Sequence, residues 1–237
     1  MSYPNNHDSD GPDWVDATEQ ALLDAALKHL PDHMRWDARL VAAAGADIGL
    51  TGPEVELVLP YGPKDLAALL ARRHDALTMQ RLSGVDASAL KIRERITTAV
   101  ATRIQVAMED DLAVRRSLGY LALPGHAPLA SRLMWATADQ LWRWAGDTAT
   151  DFNHYSKRAI LSTVLASTLA VRLARGEDAA ATHLAARIEG VMAFEKLKAG
   201  VRLDPEGMAR SVTGFLARMR YGPTSAEVSP ETPPSAG

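Results

Sequence analysis

Between residues 18 and 221 the apolar side chains recur at spacings of three and four, and no stretch alternates apolar with polar. A period near 3.6 makes amphipathic helices and a period of two makes strands, so the chain reads as all-α, with about ten helices. The spacing predicts helices over 18–29, 36–45, a single turn at 53–57, then 64–82, 88–108, 111–121, 128–144, 151–175, 178–197 and 205–221. Pro31, Gly45, the breaker LPGHAP and the turn RGED separate them, and Asp204 with Pro205 supplies a cap and a first-turn proline. In 88–108, Leu90, Ile92, Ile96, Val100, Ile104 and Ala107 are expected to face inward, with Lys91, Arg93, Glu94, Arg95 and Arg103 on the wet side.

A chain of 237 residues, 47% of them hydrophobic, can bury a sizeable core as one globular unit. The expected division is a disordered N-terminus over 1–13, a first helical region over 14–82, and a second over 83–200 of the same unit. An amphipathic helix over 204–221 and a disordered tail over 222–237 complete it. The formal net charge of -3 offers no overall basic field for a nucleic-acid backbone. With no cysteine, disulfides, thiolate metal sites and a thiol nucleophile are excluded. The first residues resemble neither a signal nor a transit peptide, and no run approaches the roughly 20 apolar residues that span a bilayer. The expected location is cytoplasmic and peripheral on the inner membrane, on the matrix side if organellar.

The order short helix, helix, turn, helix, long helix across 18–82 resembles the N-terminal part of tetracycline-repressor-type regulators. WDARLVAAAGADIGLTGPEVELVLPYGPKDLAALL places small residues and a glycine at that family's inter-helix turn, and YGPKDL at the start of its long helix. Groove recognition needs cations, yet there is no Lys or Arg from Leu40 to Pro63, while Asp47, Glu54 and Glu56 add negative charge. A degenerate helix-turn-helix without a nucleic-acid partner is therefore expected, a ligand-responsive regulator being the alternative.

A narrower resemblance sits in LWRWAGDTATDFNHYSKRAILSTVLAST, residues 141–168. Its Trp144, Ala145, Gly146 and Asp147, then Thr150 and Asp151, then Asn153, Tyr155, Lys157 and Arg158 resemble the signature of the ubiquinone (coenzyme Q) biosynthesis accessory proteins of the Coq-nine family. The resemblance covers roughly residues 15–220. It implies a repressor-like helical fold that binds isoprenoid quinone intermediates or other lipids and presents them to the demethoxyubiquinone hydroxylase, itself catalysing nothing. It also implies a docking surface of Leu141, Trp144, Asp151, Asn153, His154 and Tyr155. His154 stands where the family commonly has Trp, which weakens a hydrophobic anchor or makes it pH-dependent. Helix capping alone accounts for Gly146, Asp147, Thr150 and Asp151 but calls for none of Asn153, His154 and Tyr155.

For a lipid cavity the candidates are Ile96, Val100, Ile104, Leu133, Met134, Leu161, Leu165, Leu169, Ile188 and Met192, with Ala166, Ser167 and Ala170 leaving room; each is equally suited to plain core. In 205–221, Met208, Val212, Phe215, Leu216 and Met219 form one apolar stripe beside Arg210, Arg218 and Arg220, a composition for contact with anionic lipid. Its alternative is docking on its own domain or on a second subunit, which leaves a homodimer open. Asp151 and His154 stand three apart, as in half of a carboxylate–histidine metal site, but Glu-x-x-His occurs nowhere. Without a convergent set of acid, base, nucleophile or metal ligands, neither an enzyme nor a cofactor is expected.

Overall fold

The computed structural model describes residues 14–31, 33–147 and 152–200. Among them are nine α-helices and no strand: α1 Trp14–His29, α2 Ala38–Asp47, α3 Gly52–Val58, α4 Pro63–Leu82, α5 Ile92–Glu109, α6 Asp111–Leu121, α7 Ala127–Trp144, α8 Phe152–Arg175 and α9 Glu177–Gly200. The helical period was the right reading of the sequence. The expected helix over 205–221, and with it Met208, Arg210, Val212, Phe215, Leu216, Arg218 and Met219, lies outside the described residues. Contacts divide the chain into residues 1–189 and 190–237, and helices α1 to α8 belong wholly to the first unit.

The first four helices close around one core in which Leu22, Leu23, Leu40 and Leu66 are fully buried. Burial of each leucine contributes roughly 1.5–3 kcal/mol, so the amphipathic stripes read from the sequence are what hold these helices together. Trp36 sits in this core and donates its indole Nε1–H to the carbonyl of Pro63 at 3.0 Å, fixing the start of α4. Asp37 caps α2 by accepting from the backbone N–H groups of Arg39 and Leu40. Thr51 and Glu54 cap α3 reciprocally, the Glu54 carboxylate accepting from both the backbone N–H and the hydroxyl of Thr51. The α2–turn–α3 arrangement therefore exists, but α3 has only seven residues and exposes Glu54, Glu56 and Leu57.

Three expectations about α5 are corrected. The helix expected to run from residue 88 is broken: Ala87–Ala89 form a 3-10 turn held by Asp86, and α5 starts only at Ile92, where Glu94 accepts from the N–H of Lys91 at 2.8 Å. Ile92, placed in that first turn, is 42% exposed rather than inward. Arg103, placed on the wet side, is only 8% exposed, because it follows Ile96 and Val100 at helical spacing on the inward stripe.

At Gly45, α2 lies directly against α3. A Cβ there would overlap Cγ2 of Val55, so Val55 can be buried only because residue 45 has no side chain. Replacement Gly45→Ala is expected to destabilise the chain by about 1–3 kcal/mol in urea unfolding despite the better helix propensity of alanine. Gly119→Ala, on an exposed stretch of α6 where the added methyl meets nothing, is expected to stabilise by about 0.5–1 kcal/mol.

Candidate functional site

The motif that stood out in the sequence surrounds the junction of α7 and α8. At its start α7 ends in a Schellman turn: Gly146 has φ 92°, its N–H bonds the carbonyl of Arg143, and the N–H of Asp147 bonds the carbonyl of Trp142. Arg95 from α5 braces this turn, donating Nη1–H to the carbonyl of Ala145 at 3.0 Å. Past the turn, Asp147 receives Lys157 Nζ at 2.6 Å and Arg158 Nη1 at 3.0 Å, and Arg158 Nε also reaches Asp139 at 2.6 Å. Arg158 is 1% exposed, the most deeply buried cation among the described residues. Burial alone would push the Asp147 carboxyl up, but hydrogen bonds and charge from Lys157 and Arg158 outweigh it and hold it below the usual aspartate range.

The two basic residues of the motif are thus internal clamps joining one helix to the next. Lys157 further lies 5.3 Å from the ring centroid of Trp142, whose Nε1–H donates to the carbonyl of Lys157 at 3.0 Å. Trp144 is half-buried and donates to the carbonyl of Leu82 at 3.2 Å, tying the end of α7 to the end of α4.

Around this clamp the expected docking residues separate. Tyr155 is 61% exposed, with its ring centroid 6.1 Å from Trp135 and 5.2 Å from the half-buried His154. Leu141 does not belong to that surface: it is 1% exposed, on the inward face of α7. Asp151 and the side chain of Asn153 lie outside the described residues. Trp135, one helix over, was not singled out from the sequence; no local pattern links it to residue 155, which it meets only through the packing of α7 on α8.

A second feature lies along α6, α7 and α8. A groove of about 500 Å³ is lined by Leu118, Leu121 and Ala122, by Ala130 and Met134, and by Ala166, Leu169, Ala170, Leu173 and Ala174, with Arg115 at its edge. Its volume falls in the range of small-molecule sites, and its five alanines leave the space between the larger side chains. Leu118, Leu121, Ala130, Met134 and Leu169 also line an inner cavity of about 80 Å³, so the two adjoin. The inner cavity reaches buried polar groups. Arg103 Nε donates to Asp75 at 2.7 Å, Thr137 donates to the same carboxylate at 2.9 Å, and His74 Nε2 lies 2.8 Å from Asp110. Burial keeps the His74 imidazole below its ordinary pKa, against the upward pull of Asp110, so it is neutral at pH 7.

Of the candidate lipid contacts, Met134 and Leu169 line both spaces and Leu133 the inner one. Ile96, Val100, Leu161 and Leu165 line none of these cavities and are core, at most 4% exposed. Ile104 borders a separate hollow of about 150 Å³ and Ile188 another of about 320 Å³. The side chain of Met192 is not among those described. Missed from the sequence were Leu118, Leu121 and Leu173; apolar periodicity marks them as inward without saying that a groove lies there. No group of three or more His, Asp or Glu that could hold a metal occurs among the described residues.

Fold and groove together define an all-helical, repressor-like protein with a recess along its later helices. Residues 127–195, which comprise α7, α8 and most of α9, match the COQ9 family model. The chain is 28% identical over 158 residues to the ubiquinone biosynthesis protein COQ9, mitochondrial, of Rattus norvegicus, covering 63% of this chain and 50% of the relative. It is 28% identical to that of Homo sapiens over 156 residues, covering 63% and 49%. With the protein of the same name from Xenopus tropicalis it shares 26% over 172 residues, covering 70% and 54%. The chain spans about half the length of the curated relatives it matches. No described helix is long and apolar enough to cross a membrane.

The clamp sets a stability expectation. Arg158→Met leaves Asp139 and Asp147 without their shared guanidinium and should cost about 3–5 kcal/mol in urea unfolding, whereas Arg143→Ala, which removes an exposed pair with Asp139, should cost about 0–1 kcal/mol.

Proposed function

We propose that this chain is a non-catalytic, lipid-binding accessory protein of ubiquinone biosynthesis. It takes an isoprenoid quinone intermediate from the membrane surface, holds it in the groove between α6, α7 and α8, and presents it to the demethoxyubiquinone hydroxylase. The observation that carries this reading is the groove itself, an apolar recess of about 500 Å³ whose α7 and α8 walls lie within the segment that matches the COQ9 family. The names of the curated relatives support the pathway.

The same two helices carry the exposed Tyr155 and the half-buried Trp135, an aromatic pair beside the clamp, which suits a docking surface for a protein partner. His154 borders it, and Trp144, Asp151 and Asn153 are assigned to the same proposed surface. In this reading Leu141 supports the surface from beneath. Membrane contact is assigned to the amphipathic stripe and arginines of residues 204–221 and rests on their composition alone. The acidic, exposed face of α3 favours this reading over a DNA-binding regulator, because Glu54 and Glu56 would meet phosphates with like charge.

The groove is tested by filling it. Ala170 is exposed and lines it, so Ala170→Trp should preserve the thermal midpoint while lowering co-purified or added isoprenoid quinone at least tenfold by native mass spectrometry. Undiminished binding would place the lipid elsewhere. Tyr155→Lys should keep lipid binding but lose capture of the hydroxylase in a pull-down, and equal recovery would remove the docking assignment.

A further inference from the structure

The groove ends against the polar cluster of α4, α5 and α7, and the chemistry of that floor discriminates between head groups. We propose that Asp75, Arg103 and Thr137 form a charge-compensated head-group site that accepts a neutral, oxygen-bearing head group and rejects an anionic one. This rests on the reading that the groove holds an amphiphile, and specifies which.

Four polar side chains line the inner cavity, and all are buried: His74 at 2%, Thr137 at 3%, Ser117 at 6% and Arg103 at 8% exposure. Three of the four have already used their donor. Thr137 donates to Asp75, Ser117 to the carbonyl of Val114, and neutral His74 to Asp110 through Nε2–H. Arg103 differs, since it gives only Nε–H to Asp75, and no hydrogen bond among the described residues takes the protons of its two Nη atoms. A guanidinium more than nine-tenths buried therefore meets an apolar recess with donors to spare. Its hydrogen bond to a carbonyl, phenol or ether oxygen is charge-assisted and roughly twice as strong as one between neutral groups.

Charge decides the class. Asp75 compensates Arg103, and burial favours the neutral form of His74. A carboxylate or phosphate entering here would surrender its hydration and find no net positive charge in return. A neutral oxygen gives up far less and gains the same donor. Size restricts the pose: about 80 Å³ is below the roughly 150 Å³ that accommodates a benzene ring. Only an oxygen-bearing edge of a ring enters, and the ring and its tail occupy the larger groove.

Isothermal titration of the delipidated full chain with decylubiquinone and with dodecanoate reads this directly. The wild type should bind decylubiquinone at least tenfold more tightly. Asp75→Asn leaves an amide oxygen for Thr137 and frees the positive charge of Arg103, so dodecanoate should tighten about tenfold and the preference should narrow or invert. Arg103→Met should weaken decylubiquinone about tenfold without improving dodecanoate, circular dichroism confirming that both variants are folded. Equal wild-type affinity for the two probes, or an unchanged preference in folded Asp75→Asn, overturns the proposal while leaving lipid binding intact. Failure of both probes to bind the wild type overturns the lipid reading itself and the head-group site with it.

Discussion

The buried guanidinium of Arg158 is the interaction on which the packing of α7 against α8 depends. It contacts Asp139 on α7 and Asp147 in the turn while belonging to α8, so one side chain fixes the register of a 24-residue helix against its neighbour. Apolar stripes would tolerate a slip of one turn, which moves every side chain by about 5.4 Å. Paired charges would not, because each displaced partner would remain buried without compensation. Both the Tyr155–Trp135 pair and the α7–α8 walls of the groove are built from this register. The clamp contributes specificity of arrangement more than net stability.

A second set of polar contacts does the same for α4. Its Asp75 is tied to α5 and α7 through Arg103 and Thr137, its His74 to the α5–α6 junction through Asp110, and its last turn to α7 through Trp144. The long helix thereby serves as a spine for the helices that surround the recess. A consequence is that the recess has a polar end and an apolar length, the division of chemistry that an amphiphile itself possesses.

The all-helical class was legible because amphipathic periodicity persists through nearly the whole chain, and α4, α6 and α7 fall within a residue of where spacing and breakers put them. The 141–168 stretch was legible as special but not in its mechanism. Lys157 and Arg158 stood out only as part of the signature, whereas Arg158 lies on the same face as Leu161 and Leu165, a position that helical spacing does identify as inward. Arg103 follows the same pattern after Ile96 and Val100. A charged residue on an apolar stripe carries a signal, a partner elsewhere in the chain, but the sequence does not say which residue that is. The groove was legible only in part: Met134, Leu169, Ala166 and Ala170 stood among the residues read for a cavity, but its α6 wall of Leu118, Leu121 and Ala122 did not, because the walls come from three helices that only packing brings together.

Photo-crosslinking with a diazirine-bearing isoprenoid quinone, followed by peptide mapping of the modified chain, tests the location of the ligand most directly. Labels concentrated on Leu118, Leu121, Met134, Leu169 and Leu173, and abolished by Ala170→Trp, are the predicted result. Labels outside α6, α7 and α8 that survive that substitution would contradict the account.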